Sequence, residues 1–204
     1  MKGKVVSILR GYTYEQVKAV CNALVQGDKV KNVEITMNTP NALEIIQKIT
    51  EEFNDKLSVG AGTVVTFDDL KAVLEYDVKF VLAPVSYTKE MIDYCHSKNV
   101  LAIPAAYTPT EIYTQLCYGA DVVKVFPANE LSKSYANKVK ETLKNCTLMA
   151  VGGVNATNVN EHFAGGYQYV GTANGIFKKA DILSENAEGL LKSLKEFEAN
   201  LPEE

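Results

Sequence analysis

Apolar and β-branched residues fall into eight short runs, separated by longer stretches in which apolar positions recur every three or four residues. The runs are "KVVSIL" (4–9), "KNVEIT" (31–36), "LSVGAG" (57–62), "KFVLAP" (79–84), "VLAIP" (100–104), "DVVKVF" (121–126), "TLMAV" (147–151) and "YQYVG" (167–171). Each is five or six residues long, the length of a buried strand. The intervening stretches, such as "TYEQVKAVCNALVQ" and "NALEIIQKITEEF", have helical period. Their starts carry capping signals: Thr13 with Gln16, Thr39-Pro40, Thr66 with Asp69, and Thr108-Pro109. A last helix, "NAEGLLKSLKEFEANL", follows the eighth run.

Eight βα units of about 20–30 residues, with no break in composition, predict a single domain over residues 1–204, a small (β/α)₈ TIM barrel. An open doubly wound sheet competes, since alternation alone does not require closure. The number eight favours the barrel. Its active site lies at the carboxyl ends of the strands. That rule selects Arg10, Glu34, Asn38, Thr63, Pro84, Lys124, Phe126 and the pair Gly152 and Gly153.

Lys124 stands inside the apolar run Val122–Phe126. Pointing inward, it would lose hydration, its pKa would fall, and as a neutral amine it could attack a ketone to form a Schiff base. Pointing outward, it would extend between helices with its ammonium in water. The strand pattern alone leaves these two readings balanced. Glu34 is a second late-strand charge in an apolar run, suited to general acid–base work or to a structural ion pair with Lys124. "GAGT" (60–63) permits close backbone approach to a ligand with Thr63 as donor, and equally a plain turn. "VGGVNATN" (151–158) places two glycines before a helix expected near Asn155, the pattern of a phosphate loop, with a plain turn as the alternative. Arg10 closes the first strand, where a guanidinium suits a substrate carboxylate, and where position alone equally allows a surface salt bridge.

Composition narrows the classes. Hydrophobic residues make up 47% and charged residues 23%, and the formal net charge is −4, so neither a basic nucleic-acid surface nor a membrane segment is expected. The start, "MKGKVVSILRGY", reads as a first strand rather than a signal peptide. Cys21, Cys95, Cys117 and Cys146 have no CxxC or metal-like spacing with His96 or His162, so reduced thiols, a cytoplasmic setting and no metal are expected.

Taken in order, "SILRG", "VEIT", "GAGTV", Pro104 with "TPTE", "KVFPA" and "VGGVN" resemble the 2-keto-3-deoxy-6-phosphogluconate and 2-keto-3-deoxy-6-phosphogalactonate aldolases over nearly the whole chain. The resemblance implies a class I, cofactor-free and metal-free aldolase on a (β/α)₈ barrel, acting as a homotrimer. Its substrate would be a 2-keto-3-deoxy sugar acid phosphate, cleaved to pyruvate and an aldehyde; some members also cleave 4-hydroxy-2-oxoglutarate. By the same resemblance Lys124 forms the imine and Glu34 moves protons. Thr63, Pro84 and Phe126 shape the pyruvate half of the pocket, and Gly152 and Gly153 bind phosphate. Arg10, Asn38 and Val151 lean toward the galactonate type, with Asn38 and Val151 discriminating. Ala173 and Asn174 stand where the family usually has Gly-Ser phosphate contacts. A phosphosugar epimerase or isomerase on the same barrel, and a non-catalytic sugar-acid-binding paralogue, are the rival readings.

Overall fold

A computed structural model describes residues 1–203. Its strands are β1 (Val5–Leu9), β2 (Asn32–Thr36), β3 (Ser58–Gly62), β4 (Phe80–Leu82), β5 (Leu101–Ile103), β6 (Ala105–Ala106), β7 (Val123–Val125), β8 (Leu148–Val151) and β9 (Tyr169–Thr172). All ladders are parallel, in the order β5-β4-β3-β2-β1-β9-β8-β7-β6. β5, from the fifth run of the sequence, and β6, just beyond that run, are halves of one strand divided at Pro104, which has no N–H to give to a ladder. One half pairs with β4 (Val81 with Ala102), the other with β7 (Ala105 with Lys124). Between them the Lys124 N–H donates to the Pro104 carbonyl at 2.9 Å. The sheet therefore closes on itself through residues 101–106. This is the barrel, not the open sheet.

Register assigns each side chain to one of two faces, because neighbouring residues in a parallel ladder point the same way. Ile8, Glu34, Gly60 and Phe80 are successive partners around one side. Ala105, Lys124, Met149 and Tyr169 are successive partners around the other. The inner face carries its own buried cluster of Val6, Ile8, Phe80, Leu82, Ile103, Val122, Met149 and Val151. Alternate residues such as Val33, Ile35, Val123 and Val125 face outward into the larger core beneath the helices. Full burial of such side chains contributes about 1.5–3 kcal/mol each.

The helices are α1 (Tyr14–Gln26), α2 (Ala42–Phe53), α3 (Phe67–Val73), α4 (Lys89–Ser97), α5 (Pro109–Tyr118), α6 (Tyr135–Thr142), α7 (Val159–Ala164), α8 (Lys179–Leu183) and α9 (Ala187–Glu198). Capping boxes start α1 at Thr13, α3 at Thr66 and α5 at Thr108, as their sequences predict. Thr39-Pro40 does not start α2. Asn41 precedes that helix without a side-chain cap, and the Thr39 hydroxyl instead meets Thr36 at 3.0 Å and accepts the Gly11 N–H at 2.9 Å. At the amino end of the barrel the buried Glu198 carboxylate accepts N–H groups from Asp28, Lys29 and Val30, fixing α9 to the turn before β2. Hydrogen bonds to a buried carboxylate thus fix that end of the barrel.

Candidate active site

At the carboxyl ends of the strands, a cavity of about 330 Å³ is lined by Arg10, Glu34, Pro84, Lys124, Phe126 and Val151, together with the loops that follow β8 and β9. Its buried charged groups are Lys124 and Glu34, which are 6% and 1% exposed. The inward reading of Lys124 is the observed one: Val122, Lys124 and Phe126 alternate with Val123 and Val125 of the outer core. The Lys124 ammonium position lies 4.9 Å from the centre of the Phe126 ring, which forms part of the more open wall.

Burial decides the electrostatics of this pair. It lowers the pKa of Lys124, with the Arg10 charge acting in the same direction and Glu34 opposing both. Burial pushes the Glu34 carboxyl up from 4.5 to about 7, with Lys124 and Arg10 pulling it back. Glu34 Oε2 has no hydrogen-bond partner. A buried carboxyl oxygen without a protein partner is open to a water or to a bound group. Space for that carboxyl comes from Gly62, where a Cβ would sit 1.4 Å from Glu34 Oε1. The residues thus bring together an amine disposed to be neutral and a carboxyl disposed to hold a proton, with Arg10 exposed above them at the mouth. Such a set can attack a carbonyl, deliver and remove protons, and hold an anionic group.

Two loops form the remaining wall. Gly152 and Gly153, with φ of 117° and 68°, turn the chain out of β8 in a conformation that favours glycine. The Gly153 carbonyl is held by the side-chain amides of Asn155 at 3.2 Å and Asn158 at 2.9 Å. Beyond β9, Ala173 and Asn174 are exposed at the cavity edge. Among the described residues, the backbone N–H groups of Gly152, Gly153, Ala173 and Asn174 make no hydrogen bond, which leaves donors free for an anion. The helix expected near Asn155 begins at Val159, because Asn155 and Asn158 are occupied in holding the loop.

Asn38 and Thr63 are not brought into the cavity wall. Counting by two from Glu34 and Thr36 would turn Asn38 inward, but the chain reverses over Thr36–Thr39, with the Thr39 N–H donating to the Thr36 carbonyl, and leaves Asn38 exposed. Thr63, the residue after β3, has φ of 54°, a strained conformation for a β-branched residue. Sequence reasoning missed Gly62 as the space for Glu34, and Thr172 and Gly175 on the same wall. Gly62 was legible in part, since β2 and β3 are adjacent runs and a glycine beside a buried charge signals room. No sequence pattern marked Thr172.

Among the described residues, no three His, Cys, Asp or Glu side chains gather as a metal site would require. No helix among them is long and apolar enough to cross a membrane.

The KDPG and KHG aldolase family model matches residues 1–192. A 2-dehydro-3-deoxy-6-phosphogalactonate aldolase of Escherichia coli K12 is 26% identical over 184 residues, covering 90% of this chain and 89% of its own. A 2-dehydro-3-deoxy-phosphogluconate aldolase of Treponema pallidum is 28% identical over 162 residues, covering 79% and 76%. A solved native KDPGal structure superposes with a TM-score of 0.84 at 25% identity, over 98% of this chain and 97% of that one. The fold also matches a Legionella pneumophila KDPG aldolase captured with pyruvate as a covalent carbinolamine, with a TM-score of 0.85 at 22% identity over 95% and 93% of the two chains.

Proposed function

The chain belongs to the KDPG and KHG aldolase family, and from that premise we propose that it cleaves a 6-phosphorylated 2-keto-3-deoxy sugar acid to pyruvate and an aldehyde. The observation that carries this reading is the buried pair of Lys124 and Glu34 at the floor of a cavity, with pKa values displaced toward the neutral amine and the protonated acid. Lys124 Nζ attacks the C2 ketone, and Glu34 protonates the departing hydroxyl so that water leaves and an iminium forms. Glu34, now ionised, takes the C4 hydroxyl proton through a water. The C3–C4 bond then breaks, its electrons move to the iminium nitrogen, and the aldehyde leaves. Protonation of the enamine at C3 and hydrolysis of the imine release pyruvate and restore Lys124.

Arg10 is assigned the substrate carboxylate, as a guanidinium at the mouth of the cavity and above its reactive floor. Pro84 and Phe126 enclose the pyruvate half, and the free N–H groups of Gly152, Gly153, Ala173 and Asn174 receive the phosphate. Thr63 and Asn38 lie outside this wall. Val151, 6% exposed at the end of β8, supports the galactonate type, and 4-hydroxy-2-oxoglutarate is a smaller keto acid the same floor would accept.

Exposed apolar side chains on successive strand-end loops and the neighbouring helix, Val65, Val85, Tyr107 and Tyr113, support association into a homotrimer, expected at three times 22.4 kDa by light scattering. A cytoplasmic setting is supported by the four free cysteines, three of them buried.

The test is a panel of gluconate- and galactonate-type 2-keto-3-deoxy acids, with and without a 6-phosphate, and 4-hydroxy-2-oxoglutarate, assayed for pyruvate release. Release from a phosphorylated six-carbon acid is expected; no release from any of them would reject the reading.

A further inference from the structure

The two loops that offer free N–H groups leave different strands, and nothing in the ladders fixes the distance between them beyond β8 and β9. Among the described residues, one side chain joins them by hydrogen bonds. The Thr172 hydroxyl donates to the Val154 carbonyl at 2.6 Å and accepts the Gly175 N–H at 3.0 Å. The first bond reaches the loop after β8, and the second closes the loop after β9 on itself. Thr172 is buried, 5% exposed, at the last position of β9. Gly175 completes the junction by contact: a Cβ there would lie 2.0 Å from the Val154 carbonyl oxygen and 2.7 Å from Asn155 Cα. Any side chain at that position would therefore force the loops apart. Gly153, one residue before Val154, is already held by Asn155 and Asn158. The β8 loop is thus rigid in itself, and Thr172 sets where the β9 loop stands against it.

We infer that Thr172, with Gly175, is a positioning element that holds the loops after β8 and β9 at the spacing needed for one phosphate group to engage the N–H groups of both. The inference rests on the aldolase reading for the identity of the substrate, but not for the anion. A tetrahedral phosphate accepts hydrogen bonds from donors converging on one point, so a small displacement of either loop loses half of them. The reacting centre lies on other strands, at Lys124 and Glu34, and the junction does not touch it. Losing the junction should therefore fall on recognition of phosphate more than on the carbon–carbon bond chemistry.

The test compares wild type, Thr172→Val, Thr172→Ser and Gly175→Ala, with folding checked by circular dichroism. Two readings are taken: calorimetric binding of inorganic phosphate, and kcat/KM on a 6-phosphorylated 2-keto-3-deoxy acid relative to its unphosphorylated counterpart. Thr172→Val and Gly175→Ala are expected each to weaken phosphate binding and to lower that ratio about tenfold, the scale of one lost buried hydrogen bond. Thr172→Ser, which keeps the hydroxyl, should restore both to within about threefold of wild type on the same scale. A folded Thr172→Val with unchanged phosphate binding and unchanged ratio would overturn the inference, and so would equal losses on both substrates. If Thr172→Val does not fold, Gly175→Ala decides by the same two readings. Wild type that releases no pyruvate but binds phosphate, with that binding lost in the variants, would reject the aldolase reading and leave the junction standing.

Discussion

Replacing Glu34 with glutamine should make the protein more stable and less active, and the size of the gain follows from the site. Burial holds the Glu34 carboxyl at about 7 against 4.5 for the ordinary group. At about 1.4 kcal/mol per pH unit, that displacement corresponds to about 3 kcal/mol. The sign follows from proton uptake. Between about pH 4.5 and 7 the folded chain keeps a proton that the unfolded chain has lost, so wild-type stability falls as pH rises through that window. Below the window the acid is neutral in both states and resembles the amide. Glu34→Gln should match wild type near pH 4.5 and exceed it by about 3 kcal/mol at pH 8, or roughly 6–12 °C in Tm for a chain of this size. Turnover should fall about 10²–10⁴-fold, because an amide neither gives nor takes the proton. Urea denaturation at a series of pH values, with pyruvate release measured in parallel, reads both. A variant no more stable than wild type at pH 8 would refute the burial argument. A loss of turnover below about fivefold would remove Glu34 from the proton-transfer role.

Gly62→Ala should leave a folded protein whose Glu34 carboxyl is displaced, since the new Cβ would overlap Oε1; turnover should drop at least tenfold with a stability cost of about 1–3 kcal/mol, read by assay and by denaturation. Arg10→Ala should raise KM for phosphorylated and unphosphorylated keto acids alike, by about 10–100-fold for a lost charge-assisted contact. Were it instead to erase discrimination between those substrates, Arg10 would serve the phosphate and the pocket would be oriented the other way. Exhaustive chelation should leave activity intact, since the protonated imine accepts the electrons; restoration of a chelated, inactive enzyme by a divalent cation would contradict the imine route.

Most of the architecture was legible because strand burial on both faces leaves continuous apolar runs, and each predicted run overlaps a strand. What sequence could not decide was which way a side chain points within a strand as short as Val123–Val125. Lys124 became inward only once the ladder placed it beside Ala105 and Met149. Asn38 is the opposite case. It has the parity of an inward residue, but the turn over Thr36–Thr39 cancels that parity. Thr39-Pro40 looked like a helix start because threonine before proline has that signature, yet its hydroxyl is engaged by Thr36 and Gly11 instead. Capping boxes were readable since both partners lie three residues apart. The links from Thr172 to Val154 and from Glu198 to Asp28–Val30 span 18 and up to 170 residues, and no local pattern announces them.

The central claim is that Lys124 is the nucleophile, and reductive trapping addresses it without reference to which sugar acid is cleaved. Incubation with pyruvate and borohydride, followed by peptide mass analysis, should find one pyruvate-derived group per chain, carried by Lys124 and absent from Lys124→Met. Modification of a different lysine, or an active protein that takes up no label, would contradict the account.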